Sequence, residues 1–159
     1  MRICKVEKVM KKKLVVTVGN EMMGDDAVGP LLARMIEREP LEGWDLLDGG
    51  NAPESYLWRI REMNPDHALI VDAAEMGLEP GDIRLIDPTR VDDPFIMTTH
   101  TLPLTYLMLS LQEFVPKVEL LGVQPRVVAF GYPVFPEVKE AVTRIYERLK
   151  RDEVEWECL

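Results

Sequence analysis

Short apolar runs alternate along the chain with longer segments whose apolar residues recur at helical spacing. The runs 14–18 (LVVTV) and 67–71 (HALIV) are continuous and contain several β-branched residues, which indicates strands covered on both faces. The alternating run 82–86 is typical of a half-exposed strand. The complete set of predicted extended segments is 14–18, 44–47, 67–71, 82–86, 118–123 and, shorter than the others, 126–130.

Four helices are predicted between these strands. The first begins at Asp25-Asp26 and ends near Glu39, because Pro40 disfavours the α conformation of the residue before it. The others are predicted to begin near Pro53 and to span residues 102–114 and 136–151. Alternating buried strands and helices indicate the α/β class, as a three-layer α/β/α sandwich with a mostly parallel sheet.

The length of 159 residues fits a single domain, residues 1–159, with one substantial core. We expect an N-terminal extension over residues 1–13 and a loose tail over residues 152–159. The basic N-terminus precedes an apolar run of about five residues, which is too short for a secretory signal or a membrane span. Membrane insertion is therefore not expected.

The amino-acid composition indicates the redox environment of the protein and argues against one class of partner. The only cysteines, Cys4 and Cys158, form no CxxC or zinc-ribbon spacing and are interpreted as reduced thiols of a cytoplasmic protein. The formal net charge of −9 argues against a nucleic-acid partner, because binding to a phosphate backbone requires a basic surface.

Candidate chemistry follows the predicted strands, where ligands bind in sheets of this kind. Asp26 lies in the loop after the first strand, Asp72 ends the third, and His100 precedes the apolar helix. Asp48 and Glu75 also follow strands. Two carboxylates and one neutral imidazole could hold a divalent metal and leave positions open for water or substrate.

Each of these residues also has a purely structural interpretation. Asp25 is assigned to capping the first helix, which leaves Asp26 less fully explained. Asp72 could cap the next element, and His100 could be an ordinary loop histidine. On spacing alone both interpretations stay open. No HExxH, GxSxG, GxGxxG or Walker pattern is present, so the spacing supports a metal site and no more specific chemistry.

Six motifs extend in order over nearly the whole chain. They are GNEMMGDDAVG (19–29), DGGNAPE (48–54), LIVDAAE (69–75), THTLPL (99–104), GVQP (122–125) and GYPVFPEVKEAV (131–142). In their order and spacing they resemble the hydrogenase maturation endopeptidases. The THTLPL and GVQP motifs look more like the formate-hydrogenlyase (HycI-type) branch than the uptake-hydrogenase (HybD-type) branch.

This resemblance implies a mixed five-stranded sheet between helical layers, in a phosphorylase/hydrolase-like arrangement. It implies an endopeptidase that removes a C-terminal peptide from the nickel-loaded precursor of a [NiFe]-hydrogenase large subunit. Asp26, Asp72 and His100 match the family's metal-binding and catalytic positions. Ni²⁺ would arrive with the precursor, and other divalent ions could occupy the site. Residues 21–23 depart from the family pattern, which affects details of substrate contact.

Two alternatives remain at this level. One is a non-catalytic metal- or peptide-binding assembly factor on the same fold, because a fold alone does not fix a function. The other is a peptidyl-tRNA hydrolase-like enzyme, although the chain is acidic and has no histidine before His67.

If His100 is a ligand it must be neutral, so metal binding is expected to weaken below about pH 6.

Overall fold

Five strands and four α-helices form the computed structural model, which describes residues 12–87, 98 and 100–159. Residues 1–11, which make up most of the predicted extension over residues 1–13 and include Cys4, lie outside the described residues. In chain order the elements are β1 (Lys13–Val18), α1 (Val28–Arg38), β2 (Trp44–Gly50), α2 (Leu57–Met63), β3 (His67–Ala73), β4 (Ile83–Ile86), α3 (Thr101–Gln112), β5 (Lys117–Val123) and α4 (Pro136–Lys150).

The strands form one mixed sheet in the order β2-β1-β3-β5-β4. All neighbouring pairs are parallel except β4, which pairs antiparallel with β5 at the sheet edge. The predicted mostly parallel sheet is thus confirmed. Parallel alignment places the carboxyl ends of β1, β2, β3 and β5 at one edge.

Two apolar layers cover the two faces of the sheet, because successive residues of a strand point to opposite sides. On β1, Leu14 and Val16 face one layer and Val15 faces the other. Helices α2 and α3 contribute to the first layer, through residues such as Ile60 and Leu107. Helices α1 and α4 contribute to the second layer. The α/β/α sandwich follows from this division.

The first helix lies unusually close to the first strand. A methyl group placed on Gly29 would lie 2.1 Å from the carbonyl oxygen of Val18 and 2.6 Å from the backbone nitrogen of the same residue. Only a residue without a Cβ atom fits there. This contact fixes the turn between β1 and α1, which contains part of the candidate site.

Two predictions about extended segments are wrong. The segment 126–130 forms no strand, because its backbone is held by a side chain from the first loop rather than by a neighbouring strand. Strand β2 continues to Gly50, beyond the predicted end at Leu47, and its register with β1 shifts near Val18.

The C-terminal tail, predicted to be loose, is packed along β4. The backbone N–H of Leu85 donates to the carbonyl of Glu157 at 2.8 Å, and Leu159 N–H donates to the carbonyl of Leu85 at 2.9 Å. The Trp156 ring is only 8% exposed and lies 4.3 Å from the guanidinium carbon of Arg148. Pairing and aromatic burial therefore order this segment.

No helix in the described part of the chain is both long and apolar enough to cross a bilayer. The assignment of residues 1–159 to a single domain and the cytoplasmic location stay predictions.

Candidate active site

Asp26 lies in a 3₁₀ turn, Gly24–Ala27, that leads directly into α1. Its side chain is 2% exposed, and Oδ2 accepts a hydrogen bond from the backbone N–H of Asn20 at 2.8 Å. Because β1 ends immediately before this loop, the carboxylate lies at the carboxyl edge of the sheet.

Asp72 is the penultimate residue of β3, the central strand, and its side chain is fully buried. Its Oδ1 accepts a hydrogen bond from the N–H of Ala73 at 2.8 Å. Within the part of the chain that the structure describes, its Oδ2 is buried without a hydrogen-bond partner. An unsatisfied buried carboxylate oxygen is costly, so this oxygen is a candidate ligand atom at the edge of the sheet.

His100 precedes the first residue of α3 at the same edge and is 7% exposed. Its backbone N–H donates to Thr98 Oγ1 at 3.1 Å, and its Nε2 lies 3.4 Å from Asp26 Oδ2. The imidazole therefore faces the first-loop carboxylate.

The structure brings the three predicted side chains together. One potential ligand atom from each of Asp26, Asp72 and His100 lies within 4.8 Å of the others. This spacing suits simultaneous contact with one cation, since typical metal–oxygen and metal–nitrogen bonds are about 2.0–2.2 Å long. The three side chains come from a turn, a strand and a helix start, so the candidate site forms only when these separate elements fold together.

Burial and mutual charge change the protonation of the cluster. Burial raises the pKa of Asp72 well above its usual 3.8, and nearby Asp26 raises it further, while His100 opposes the shift. The hydrogen bond to Asp26 raises the pKa of His100 above its ordinary 6.5 against the opposing effect of burial, with smaller contributions from Asp72 and the Asn51 backbone. The cluster therefore retains protons at pH values where isolated groups would have lost them.

Asp25 does not cap α1, contrary to the sequence prediction, because no side-chain cap bond is formed at either helix start. Its fully buried carboxylate instead accepts three backbone hydrogen bonds, from Arg126 at 2.8 Å, Val127 at 3.0 Å and Phe135 at 2.9 Å. The backbone N–H of Asp25 also donates to the carbonyl of Val127 at 2.9 Å. Asp25 thus fastens the 126–135 loop to the turn that holds Asp26.

Replacing Asp25 by asparagine is expected to lower the free energy of unfolding by about 2 kcal/mol, since an amide group would face backbone donors that now meet carboxylate oxygens. Urea denaturation measures this change through the midpoint. The matched control is Asp45→Asn, which alters an exposed carboxylate on β2. Equal midpoints for the two variants would contradict the role assigned to Asp25.

Sequence reasoning missed two further features of the site. Gln124 directly follows β5 and is buried. Its Nε2 donates a hydrogen bond to Glu75 Oε1 at 2.8 Å, so it orients an acidic side chain beside the cluster. Asn20 supplies the backbone bond to Asp26. The motifs containing both residues are visible in the sequence, but their contacts depend on chain segments far apart.

Two cavities adjoin the cluster. One, of about 310 Å³, has Asp26 in its wall. The other, of about 410 Å³, is lined partly by Asn20 and Asn51, whose backbones contact Asp26 and His100. A substrate segment that occupied either cavity would approach the cluster closely.

An α/β sandwich with this cluster at the carboxyl edge of its sheet defines the general class, an α/β protein with a candidate metal site at that edge. Comparison with known families gives the specific assignment. Residues 27–152 match the family model HycI, described as hydrogenase maturation protease. The chain belongs to this family and is a peptidase.

The relatives support the same assignment. The hydrogenase 3 maturation protease of Escherichia coli strain K12 is 48% identical over 137 residues, which cover 86% of this chain and 88% of that protein. The solution structure of the endopeptidase HycI from Escherichia coli superposes with a TM-score of 0.86 at 46% identity, covering 94% of this chain and 97% of that one.

A third comparison involves a more distant relative. The crystal structure of the [NiFe] hydrogenase maturation protease HycI from Thermococcus kodakarensis KOD1 gives a TM-score of 0.80 at 28% identity, over 92% of this chain and 94% of that one. These comparisons confirm the resemblance to the HycI-type branch. The two alternative hypotheses, an assembly factor without activity and a peptidyl-tRNA hydrolase-like enzyme, are set aside because the matching family is described as hydrogenase maturation protease.

Proposed function

We propose that this protease removes a C-terminal peptide from the nickel-loaded precursor of a [NiFe]-hydrogenase large subunit. Asp26, Asp72 and His100 recognise the nickel that the precursor carries. Membership of the maturation protease family supports the reaction, and the names of the relatives support hydrogenase as the client.

The observation that carries the nickel proposal is the buried cluster with an unsatisfied oxygen. The three candidate ligand atoms lie within 4.8 Å of one another, and among the described residues Asp72 Oδ2 has no hydrogen-bond partner. A cation at this position would satisfy that oxygen and neutralise two carboxylates. Desolvating Asp72 without such a ligand costs stability, so its position is better explained by binding than by folding.

The composition of the donor set suits an ion that is shared with another protein. Two carboxylates and one imidazole bind a borderline metal less tightly than a cluster of thiolates does. The protease would therefore contact the ion without extracting it from its client. A bound divalent ion can polarise a carbonyl oxygen or lower the pKa of water. Asp26 and Asp72 would orient the ion. His100 must be neutral so that a ring nitrogen has a free lone pair to coordinate it.

The direct test is incubation of the purified protein with nickel-loaded and nickel-free precursor, followed by intact mass measurement of the large subunit. We expect loss of a C-terminal peptide from the loaded form only. Equal cleavage of both forms would refute nickel recognition, and an unchanged mass in both would refute the proposed client.

Nickel binding by the protein alone is expected to strengthen with rising pH. The pKa values of His100 and Asp72 are both raised, and a ligand must lose its proton before it can bind an ion. Acidification returns these protons, so binding should begin to weaken above the ordinary histidine value of 6.5, at higher pH than the sequence alone suggested.

On acidification, we expect the affinity to fall about tenfold per pH unit for each of the two ligands, His100 and Asp72, that takes up a proton. Calorimetry in buffers of different ionisation enthalpy measures both the affinity and the protons released. The Asp72→Asn variant, which lacks one titrating ligand, should release fewer protons. A pH-independent affinity would contradict the assigned ligands.

A further inference from the structure

A cavity of about 280 Å³ lies between β4, α4 and the C-terminal tail. The residues that line it do not include Asp26, Asp72 or His100, so it is distinct from the candidate metal site. Its lining is dominated by charged side chains together with one indole ring. These residues are Arg84, Arg144, Arg148, Asp82, Glu157 and Trp156.

Positive charge prevails in this lining. Arg144 and Arg148 are one helical turn apart on α4, so their side chains leave the helix on the same face. Arg84 reaches the same cavity from β4. Against these three positive charges stand two negative ones, from Asp82 and Glu157. A local excess of arginine on a chain whose net charge is −9 indicates a site that attracts anions.

Arg144 and Arg148 use only part of their hydrogen-bonding capacity inside the described ranges. A guanidinium has several N–H donors arranged as a rigid fork. Arg144 donates from Nη2 to the carbonyl of Gly81 at 2.8 Å, and Arg148 donates from Nη2 to the carbonyl of Glu155. The Nε1 of Trp156 is buried and has no acceptor among the described residues. Donors therefore outnumber acceptors around the cavity.

Glu157 shows that this lining accepts an oxyanion. Its Oε2 lies 3.2 Å from Nη1 of Arg84, which also donates to the carbonyl of Ile83 at 2.8 Å. The side chain of Glu157 is 75% exposed, so water competes for its carboxylate and the ion pair is weak. An anion that contacts all three arginines can therefore displace the Glu157 carboxylate from Arg84.

We propose that this cavity binds a phosphate group, either as the free ion or as part of a small phosphomonoester. Phosphate has enough oxygens to contact several guanidinium groups at once, whereas the two oxygens of a carboxylate are satisfied by one guanidinium fork. The volume is at the small end of ligand sites, which suits a compact anion. The inference goes beyond the proposed function and does not depend on it.

The net charge of the chain opposes the approach of phosphate only at a distance. At physiological ionic strength, exposed charges are screened beyond about 8 Å. Within that range the three arginines face the anion directly, and Asp82 and Glu157 compensate them only in part. The Asp82 carboxylate also accepts a hydrogen bond from the N–H of Glu79 at 3.2 Å, which assigns it to its own turn.

The test is calorimetric titration of the purified protein with inorganic phosphate at constant ionic strength. We expect a Kd of about 1 mM or tighter. Arg144→Gln should weaken binding at least about tenfold, because charge-assisted hydrogen bonds are lost. The matched control is Arg151→Gln, the same chemical change at an exposed position just after α4, and it should retain the affinity. Without phosphate, both variants should unfold at the temperature of the unaltered protein.

A second variant gives the opposite sign. Glu157→Gln removes the carboxylate that competes for Arg84, so it should strengthen phosphate binding about two- to fivefold. A gain in affinity distinguishes a shared binding site from a purely structural role of the ion pair. Unchanged or weaker binding by Glu157→Gln would contradict the placement of phosphate beside Arg84.

Two further titrants identify the source of the phosphate group. If glycerol phosphate binds more tightly than inorganic phosphate, the ligand is a small phosphomonoester. Equal or weaker binding of the ester identifies the free ion, and both results support the site. Acetate should bind at least about tenfold more weakly than phosphate, since it can engage only one guanidinium fork. Acetate as tight as phosphate, a phosphate Kd weaker than about 1 mM, or equal losses in Arg144→Gln and Arg151→Gln would overturn the proposal.

Discussion

An Asp72→Asn variant is expected to lose precursor processing and, in the same molecule, to gain stability at neutral pH. Asp72 is fully buried, its pKa is raised mainly by burial, and one of its oxygens lacks a hydrogen-bond partner in the described ranges 12–87, 98 and 100–159. Asparagine has nearly the same shape and carries no charge. The substitution therefore removes both a cost to folding and a proposed metal ligand.

The loss of processing and the gain in stability should each be large enough to measure. Loss of a ligand from the candidate site should lower the rate of processing at least about a hundredfold, since even supporting residues of metal sites contribute 10- to 100-fold. Removing the desolvated charge should stabilise the metal-free protein by about 1–2 kcal/mol, less the lost attraction to His100. For a chain of this length that corresponds to roughly 2–6 °C in Tm.

The pH dependence of stability gives an independent check. Because the folded-state pKa of Asp72 lies above its usual 3.8, the folded state binds more protons than the unfolded state between the two values. The contribution of Asp72 to stability therefore falls as pH rises through this window, and asparagine should remove that fall. Asp25→Asn, the same chemical change at the neighbouring site, should instead destabilise. A lower Tm for Asp72→Asn at pH 7 would contradict the energetic argument.

The second large effect is expected for Gly29→Ala, with a loss of about 3–5 kcal/mol in the free energy of unfolding. Alanine would ordinarily favour a helix over glycine by about 1 kcal/mol. Here its methyl group would lie 2.1 Å from the Val18 carbonyl oxygen, and backbone atoms cannot rotate away as a flexible side chain can. Steric overlap should therefore outweigh helix propensity. Differential scanning calorimetry should show a Tm lower by roughly 10 °C.

A second glycine provides the control. Gly131 has a φ of 79°, and a methyl group added there would meet nothing within 4 Å. Gly131→Ala should cost only the backbone strain, about 1 kcal/mol. If both variants unfold at the same temperature, the close approach of α1 to β1 is not a constraint on the fold.

The strands and helices that are determined by the local pattern of apolar residues were predicted correctly. The apolar runs of β1 and β3 are long enough to identify strands buried on both faces, and the helical periodicity before Pro40 gave the end of α1 closely. The errors concern residues whose structure depends on distant partners. The tail is ordered by β4, and the 126–130 segment is ordered by Asp25, about a hundred residues earlier.

The same distinction applies to the site. Asp72 and His100 could be selected from their positions at the ends of predicted elements, and the rule for parallel sheets predicted that they would meet Asp26. The task of Asp25 was assigned wrongly, as a helix cap, because two adjacent aspartates look equivalent until the backbone N–H groups that reach one of them are known. Likewise, nothing local to Glu75 indicates that Gln124 orients it.

The pairing of the chain's last residues with β4 has a consequence for self-association. This strand ends the sheet, and the bonds from Leu85 to residues 157 and 159 occupy backbone groups that would otherwise face solvent. A bare strand edge is a template for intermolecular β-pairing and aggregation. Shortening the C-terminus before Trp156 would uncover that template, so a tag or label is better attached after Leu159 than substituted for the final residues.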